Sequence, residues 1–441
     1  MYADTTAWLA AYPVATSKGV TALVGSTAPY AEYVCNGSAW LALTLWNTDG
    51  TLRTPAGGSV AVGGTSGGLP AYLGQVATRS YYPNVKQASY TQAMIRSSHF
   101  ARDDIAQLQL VWQDRYGTLE TASGAPTTVE CAVEYPSGTY TRVKFAGADQ
   151  GVMASGGTLT SDFCTVTIPD GARFWLRTYR LNASGLIHTD FIGMNANAPA
   201  GEATDAGASV VNKVMGGTIT GAWYPSTPIA ILSMITKPSV FIYGDSRALG
   251  ISDNWNTNPS GNGGEIARSI GENFGYVLCG AVGAQLVQAG SGVRTNLVQY
   301  CSHSIVEFGI NDIQAYGKSL ATLQPFYTAL WTALSAGGTK PVFQTTMPPL
   351  GGTTTDAWAT VANQTPHATD GVRIATNAWI RSQGDGPLDG YLEVADAIES
   401  GRDTGKWKAP GYTTDGGHEN KTGCYAIFAS GAISPSFFIR R

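Results

Sequence analysis

Ser239-Val240-Phe241-Ile242-Tyr243-Gly244-Asp245-Ser246-Arg247-Ala248-Leu249 decides how the second half of this chain is read. Ser239 to Tyr243 is an apolar run of the length of a buried strand, and a Gly-Asp-Ser turn follows it directly. Arg247-Ala248-Leu249 can open a helix, so Ser246 is expected at a strand-to-helix turn with its hydroxyl at the carboxyl end of the strand. The free amides and positive end of such a helix would stabilise a developing anion.

Downstream the rhythm repeats. Strands are expected at 239–243, 276–279, 304–308, 341–346 and 390–394, with helical stretches between them. In Ser319 to Ala336, Leu320, Leu323, Tyr327, Leu330 and Leu334 mark one face, and Pro325 is expected to kink or split the helix. Such alternation predicts a parallel sheet with helices on both faces, which binds ligands at the carboxyl ends of its strands. Three of the runs lead into glycine-containing blocks: Gly244-Asp245-Ser246, Gly280 to Gly283, and Gly309-Ile310-Asn311-Asp312. A fourth block, Asp415-Gly416-Gly417-His418, places a carboxylate three residues before a histidine. On one turn that carboxylate can accept the Nδ1 proton and leave Nε2 facing the serine. The Asn311 amide, at a strand end, suits an oxyanion donor.

Any one of these blocks alone would read as a turn. The four together, in this order, resemble the SGNH (GDSL) hydrolases, a family of serine esterases, lipases and carbohydrate deacetylases. The resemblance implies a three-layer, flavodoxin-like α/β domain. It also implies Ser246 as nucleophile, His418 as base, Asp415 as its orienting partner, and an oxyanion hole from Ser246, Gly283 and Asn311. The second block, Leu278-Cys279-Gly280-Ala281-Val282-Gly283, departs from the family's usual lead-in, so Gly280 competes with Gly283 for the amide role. The implied mechanism is acyl transfer through Ser246, with no metal or organic cofactor.

The chain has 441 residues and 43% hydrophobic residues, enough for two or three domains with real cores. Charged residues make up 13% and glycines number 54, a composition that suits β-rich extracellular or virion-surface proteins. A net charge of −4 supplies no basic field, so neither nucleic acid nor an anionic membrane is an expected partner. No stretch has the length of apolar residues that a transmembrane helix needs. Met1-Tyr2-Ala3-Asp4-Thr5 lacks the marks of a signal peptide, so an extracellular or virion-associated place is expected by removal of a leader, lysis or particle assembly. The six cysteines, at 35, 131, 164, 279, 301 and 424, show no zinc spacing and read mostly as buried thiols.

The first half reads as strands, so the fold class is multidomain: an all-β amino-terminal part, as an antiparallel sandwich or jelly roll, followed by the α/β domain. Residues 1–74 form a small β module and a connection, 75–236 a β-sandwich for carbohydrate binding or assembly, and 237–441 the hydrolase domain. Asn36-Gly37 between Glu32 to Cys35 and Ser38 to Leu41 signals a tight hairpin. The segment Tyr30 to Leu43 is similar to short modules of bacteriophage tail proteins. Thr51 to Gly74, rich in Gly, Ser and Thr, reads as a connection. Leu108, Leu110 and Trp112 alternate with Gln107, Gln109 and Gln113, and Val129, Cys131, Val133 and Tyr135 with Thr128, Glu130, Ala132 and Glu134, as half-buried strands do, and Pro136-Ser137-Gly138 turns the second run into Tyr140 to Phe145. Asp162 to Ile168 and Ala172 to Tyr179 are expected to pair across Pro169-Asp170-Gly171.

Other constellations fail. His418-Glu419-Asn420 is followed by Lys421-Thr422, so no His-Glu-x-x-His motif exists, and Gly261 to Glu265 lacks the Lys of a phosphate loop. Asp385 to Gly390 lacks the ligand pattern of a calcium loop, and Cys301 with His303 has no second ligand pair. His99, His188 and His367 default to structural or solvent roles, and Asp312 to local support.

The leading reading is O-deacetylation of a bacterial surface polysaccharide, from the resemblance joined to a β-rich partner region. Lipid or thioester hydrolysis is the alternative within the family, and a glycan-binding tail-fibre component is the alternative outside it. A homo-oligomer fits any of these, a trimer if the chain belongs to a fibre or spike.

Overall fold

The computed structural model describes residues 70–189, 200–255, 258–290, 292–384 and 386–440, together with the backbone of three strands nearer the start. Those strands, Thr21–Val24, Ala31–Cys35 and Trp40–Leu45, form an antiparallel meander in which Cys35 opposes Trp40. The Asn36-Gly37 turn and the Gly-rich stretch up to residue 69 lie outside the described residues. The end of that stretch is not a connection: Tyr72–Gln75 is a strand paired with Ala230–Ile235.

Two antiparallel sheets follow. One is built on Gln92–Phe100, Thr127–Glu134 and Arg173–Asn182, the other on Ile105–Gln113 and Ala230–Ile235. Their period-two patterns meet in one apolar core, with Leu108, Leu110 and Trp112 from one sheet against Val129, Cys131, Val133, Phe174 and Leu176 from the other. The turn at 136–138 does join neighbours, since Glu134 opposes Tyr140.

The expected pairing across Pro169-Asp170-Gly171 does not occur. Cys164–Ile168 pairs with Ile105–Gln113, whereas Arg173–Asn182 lies in the other sheet between Gln92–Phe100 and Thr127–Glu134. The turn therefore carries the chain from one sheet to the other. Turn chemistry specifies a reversal of direction but not the partner of the strand that leaves it.

The parallel sheet runs Ser80–Tyr81, Gly275–Gly280, Ser239–Gly244, His303–Glu307, Val342–Thr345, all in parallel register. Beyond it the Leu392 carbonyl, at the end of the strand Gly390–Leu392, accepts the Thr346 amide at 2.9 Å. Every residue of the four inner strands is buried, which is why they read as continuous runs rather than alternating ones. Alternate residues feed opposite faces. Phe241, Tyr243, Val277, Cys279 and Val306 pack toward Leu323, Tyr327, Leu330 and Leu334, whereas Val240, Ile242, Leu278 and Ile305 pack toward Ile266, Ile270 and Ile427.

Helix Leu320–Ser335 continues through Pro325 without splitting. Pro325 and Ala321, whose carbonyl loses its amide partner, both lie on the exposed face, so water can take the place of the missing bond. Ser319 caps the helix by accepting the Thr322 amide at 3.3 Å, and Trp331 joins the expected buried face. The edge strand Ser80–Tyr81 comes from the β-rich half of the sequence. Asn84 fastens it further by donating to the Gly280 carbonyl at 2.8 Å.

Candidate active site

Ser246 follows the central strand by two residues, where the sheet register sets Gly244 beside both Gly280 and Glu307. The three blocks that begin at those strand ends are thereby brought side by side. The stretch after Ser246 is not a regular helix. Gly250 donates to the Arg247 carbonyl at 2.8 Å and Ile251 to that of Ser246 at 3.1 Å, but Gly250 takes φ of 74° and ends the winding after about one turn. The helix expected to open at Arg247 is thus a single turn, without the dipole of a regular helix.

Ser246 Oγ lies 2.9 Å from His418 Nε2, and His418 Nδ1 lies 2.7 Å from Asp415 Oδ2. The second Asp415 oxygen accepts the amides of Gly417 and His418, both at 2.8 Å. Thr413 ties the same turn by donating to the His418 carbonyl at 2.7 Å. Burial opposes the Asp415 anion, but the hydrogen bonds from the His418 ring and from the two amides outweigh it and hold the carboxyl below its ordinary range. Asp415 is therefore a carboxylate on the Nδ1 side of the ring, and the other ring nitrogen, Nε2, faces the serine.

Asn311 sits in the first turn of Ile310–Gln314 and donates to Asp245 Oδ2 and to the Ala284 carbonyl, each at 3.0 Å. It bridges the residue before Ser246 and the residue after Gly283. Asp312 is buried and accepts the Leu286 amide at 2.7 Å, which fastens the loop carrying Gly283, the local support expected of it. Among the described residues, neither the Ser246 nor the Gly283 amide donates to a protein acceptor. Gly280, by contrast, is a buried strand residue; its carbonyl is held by Asn84, and the next amide, that of Ala281, is bonded to Gly244.

Four residues beside this set escaped the sequence reading. Arg247, Glu265, Glu307 and Glu419 are all at most 1% exposed. Glu307 accepts the Asp245 amide at 3.1 Å. Burial first, then the charges of Asp245 and Glu265, keep Glu307 well above the usual carboxylate range. Glu419 is pushed up to about 7 by burial, against the pull of Arg247. The sequence sign for such a set is slight: a charged residue inside an apolar run, as Glu307 is, or one directly beside a motif.

The remaining histidines have structural partners. His99 is buried between the Thr78 carbonyl and Ser97 Oγ, and burial lowers it to about 3. His303 lies between Ser302 Oγ and the Ile439 carbonyl. His188 is buried with Nδ1 on the Thr189 carbonyl, and His367 contacts Thr369. Among the described residues no three His, Cys, Asp or Glu side chains form a metal-ligating group, and no helix is long and apolar enough to cross a membrane. Cys131, Cys164, Cys279, Cys301 and Cys424 are buried free thiols.

No family profile matches the sequence, and no curated protein matches it. Among solved structures, a GDSL-like lipase from Bacteroides thetaiotaomicron is 14% identical over 44% of this chain and 84% of its own, with a TM-score of 0.30. A carbohydrate esterase family 3 protein from Talaromyces cellulolyticus is 17% identical over 45% of this chain and 96% of its own, with a TM-score of 0.31. A carbohydrate esterase family 2 enzyme plus carbohydrate binding domain from Corynascus thermopiles is 12% identical over 81% of this chain and 94% of its own, with a TM-score of 0.32. At these TM-scores the likenesses carry no argument about this chain.

Proposed function

We propose that this protein is a serine esterase of the SGNH type that removes O-acetyl groups from a bacterial surface polysaccharide. The observation that carries the reaction class is the unbroken line Asp415–His418–Ser246, with contacts of 2.7 and 2.9 Å. His418 Nε2 takes the Ser246 proton as Oγ attacks the ester carbonyl. The oxyanion is met by the amides of Ser246 and Gly283 and by the Asn311 side chain. Collapse expels the sugar hydroxyl, protonated by His418, and leaves an acetyl-serine. Water, deprotonated by the same histidine, then releases acetate.

The substrate class is supported by the motif resemblance and by the β-rich region 75–236, which we read as the part that assembles the protein or engages the glycan. An extracellular or virion-associated setting, with a trimer if the chain belongs to a fibre, completes the reading. The test is hydrolysis of p-nitrophenyl acetate against longer acyl esters, beside a Ser246→Ala control with a matching melting curve, followed by acetate release from O-acetylated polysaccharide. Acetyl preference that disappears in the control is the expected result. Turnover that survives Ser246→Ala overturns the mechanism, and a preference for long chains overturns the substrate class.

A further inference from the structure

Arg247 is joined directly to the proposed nucleophile, yet its side chain serves the loop of the proposed base. Its Nη2 donates to the Gly417 carbonyl at 2.7 Å and to the Pro349 carbonyl at 2.9 Å. Gly417 is the residue before His418. The guanidinium lies over the Trp407 ring, 5.5 Å from its centroid, and the Trp407 indole N–H donates to the Gly416 carbonyl at 2.9 Å. Two successive carbonyls of the histidine turn therefore hang on two buried donors, and one of those donors belongs to the residue after Ser246.

Burying a guanidinium is costly unless it is matched. The match here is loose. Arg247 Nη1 is 4.0 Å from Glu419 Oε2, and among the described residues Nε, Nη1 and both Glu419 oxygens have no protein hydrogen-bond partner. The side chain is at most 1% exposed, so it does not meet solvent either. Stability alone explains such an arrangement poorly, because an apolar side chain of similar volume avoids the desolvation cost. What an apolar residue lacks is the Nη2 donor that fixes the Gly417 carbonyl against the nucleophile turn.

We infer that Arg247 is a positioning residue of the esterase reaction, which sets His418 against Ser246 by holding the Gly417 carbonyl. The inference rests on the serine-esterase reading above. Arg247 touches no reacting atom; it acts through the backbone of the histidine turn. Removing it frees that turn while leaving the amides of Ser246 and Gly283 and the Asn311 side chain in place. The loss therefore falls on the chemical step and not on binding.

The experiment compares the full chain with Arg247→Ala and Arg247→Lys on p-nitrophenyl acetate, with a melting curve for each. Arg247→Ala is expected to lower kcat about 100-fold, the cost of a misplacement on the order of 1 Å, with KM unchanged. Guanidinium chloride at millimolar, non-denaturing concentration is expected to restore part of that rate, where sodium chloride at equal ionic strength does not. Arg247→Lys keeps the charge but loses the planar fork, so it should also lower kcat at constant KM. A folded Arg247→Ala protein with wild-type kcat, or with a loss that guanidinium leaves untouched, overturns the inference. If the alanine variant fails to fold, the lysine variant decides: reduced kcat at constant KM supports the role, and wild-type kcat refutes it. A wild-type protein that hydrolyses no ester overturns the esterase reading and this inference with it, whereas an active wild type beside an equally active Arg247→Ala overturns the inference alone.

Discussion

The side-chain amide of Asn311 donates to Asp245 Oδ2 at 3.0 Å, while its second proton is directed to the Ala284 carbonyl, also at 3.0 Å. One bond reaches the residue before Ser246 and the other the residue after Gly283. The amide is thus held rigidly where the oxyanion hole is expected to form, and in the proposed transition state the oxyanion competes with Asp245 for one proton.

Asn311→Ala removes a donor whose strength is felt in the transition state. We expect kcat to fall by about 10²–10³, some 2.7–4 kcal/mol, with KM little changed. Steady-state kinetics on an acetyl ester measures it; a rise in KM at constant kcat would mean that Asn311 binds the ground state instead.

Asp415→Asn keeps the size of the side chain but turns an acceptor of the His418 Nδ1 proton into a group that can donate to it, which favours the tautomer with its proton on Nε2. The expected loss in kcat is about 10⁴, by analogy with other triads. The depressed Asp415 carboxyl also has a pH signature. Its stabilising contribution is fully present above the unfolded value of 3.8 and is lost only as pH falls through the lower folded value. Melting curves of wild type and Asp415→Asn should therefore differ at neutral pH and draw together below 3.8.

Glu419 has the opposite sign. Burial raises it from 4.5 to about 7, so the folded protein holds this proton more tightly than the unfolded chain does. Its stabilising share is full below 4.5 and is lost as pH rises to about 7. Glu419→Gln, which stays neutral, should gain melting temperature relative to wild type as pH rises through that window. A difference that does not change with pH would show that Glu419 is equally charged in both states.

Gly280 and Gly283 should respond differently to alanine. A Cβ on Gly280 would stand 2.7 Å from Leu249 Cγ and 3.0 Å from the Asp245 carbonyl oxygen, so Gly280→Ala should lose about 1–3 kcal/mol of stability by overpacking. Among the described residues a Cβ on Gly283 meets nothing within 4 Å, and its φ of 69° is unfavourable, at about 1–2 kcal/mol. Denaturant titration separates the two. A larger loss at Gly283 would mean that a Cβ there is crowded.

Much of the α/β half was legible because its strands are buried on both faces. Ser239–Gly244, Gly275–Gly280 and His303–Glu307 stand out as apolar runs for that reason alone. The Asp-x-x-His turn was legible because its geometry is local: Asp415 reaches the His418 amide and ring across three residues. The pairing of Arg173–Asn182 was not, since period-two alternation tells which side of a strand is buried but not which strand lies beside it. Nor was the short Ser80–Tyr81 strand, whose place at the edge of the parallel sheet depends on long-range hydrogen bonding to Gly275–Gly280.

The sequence by itself determined the four blocks, their order and the strand that precedes each of the first three, because these depend on contacts within a few residues. Only the tertiary structure decided that Ser246 and His418, 172 positions apart, meet at 2.9 Å. The same holds for Arg247 against the Gly417 carbonyl and for the carboxyl groups of Asp245, Glu265, Glu307 and Glu419, all buried like Arg247 itself. Those contacts depend on packing distant segments into one low-dielectric interior, where a charge's neighbours are set by the fold and not by its place in the chain.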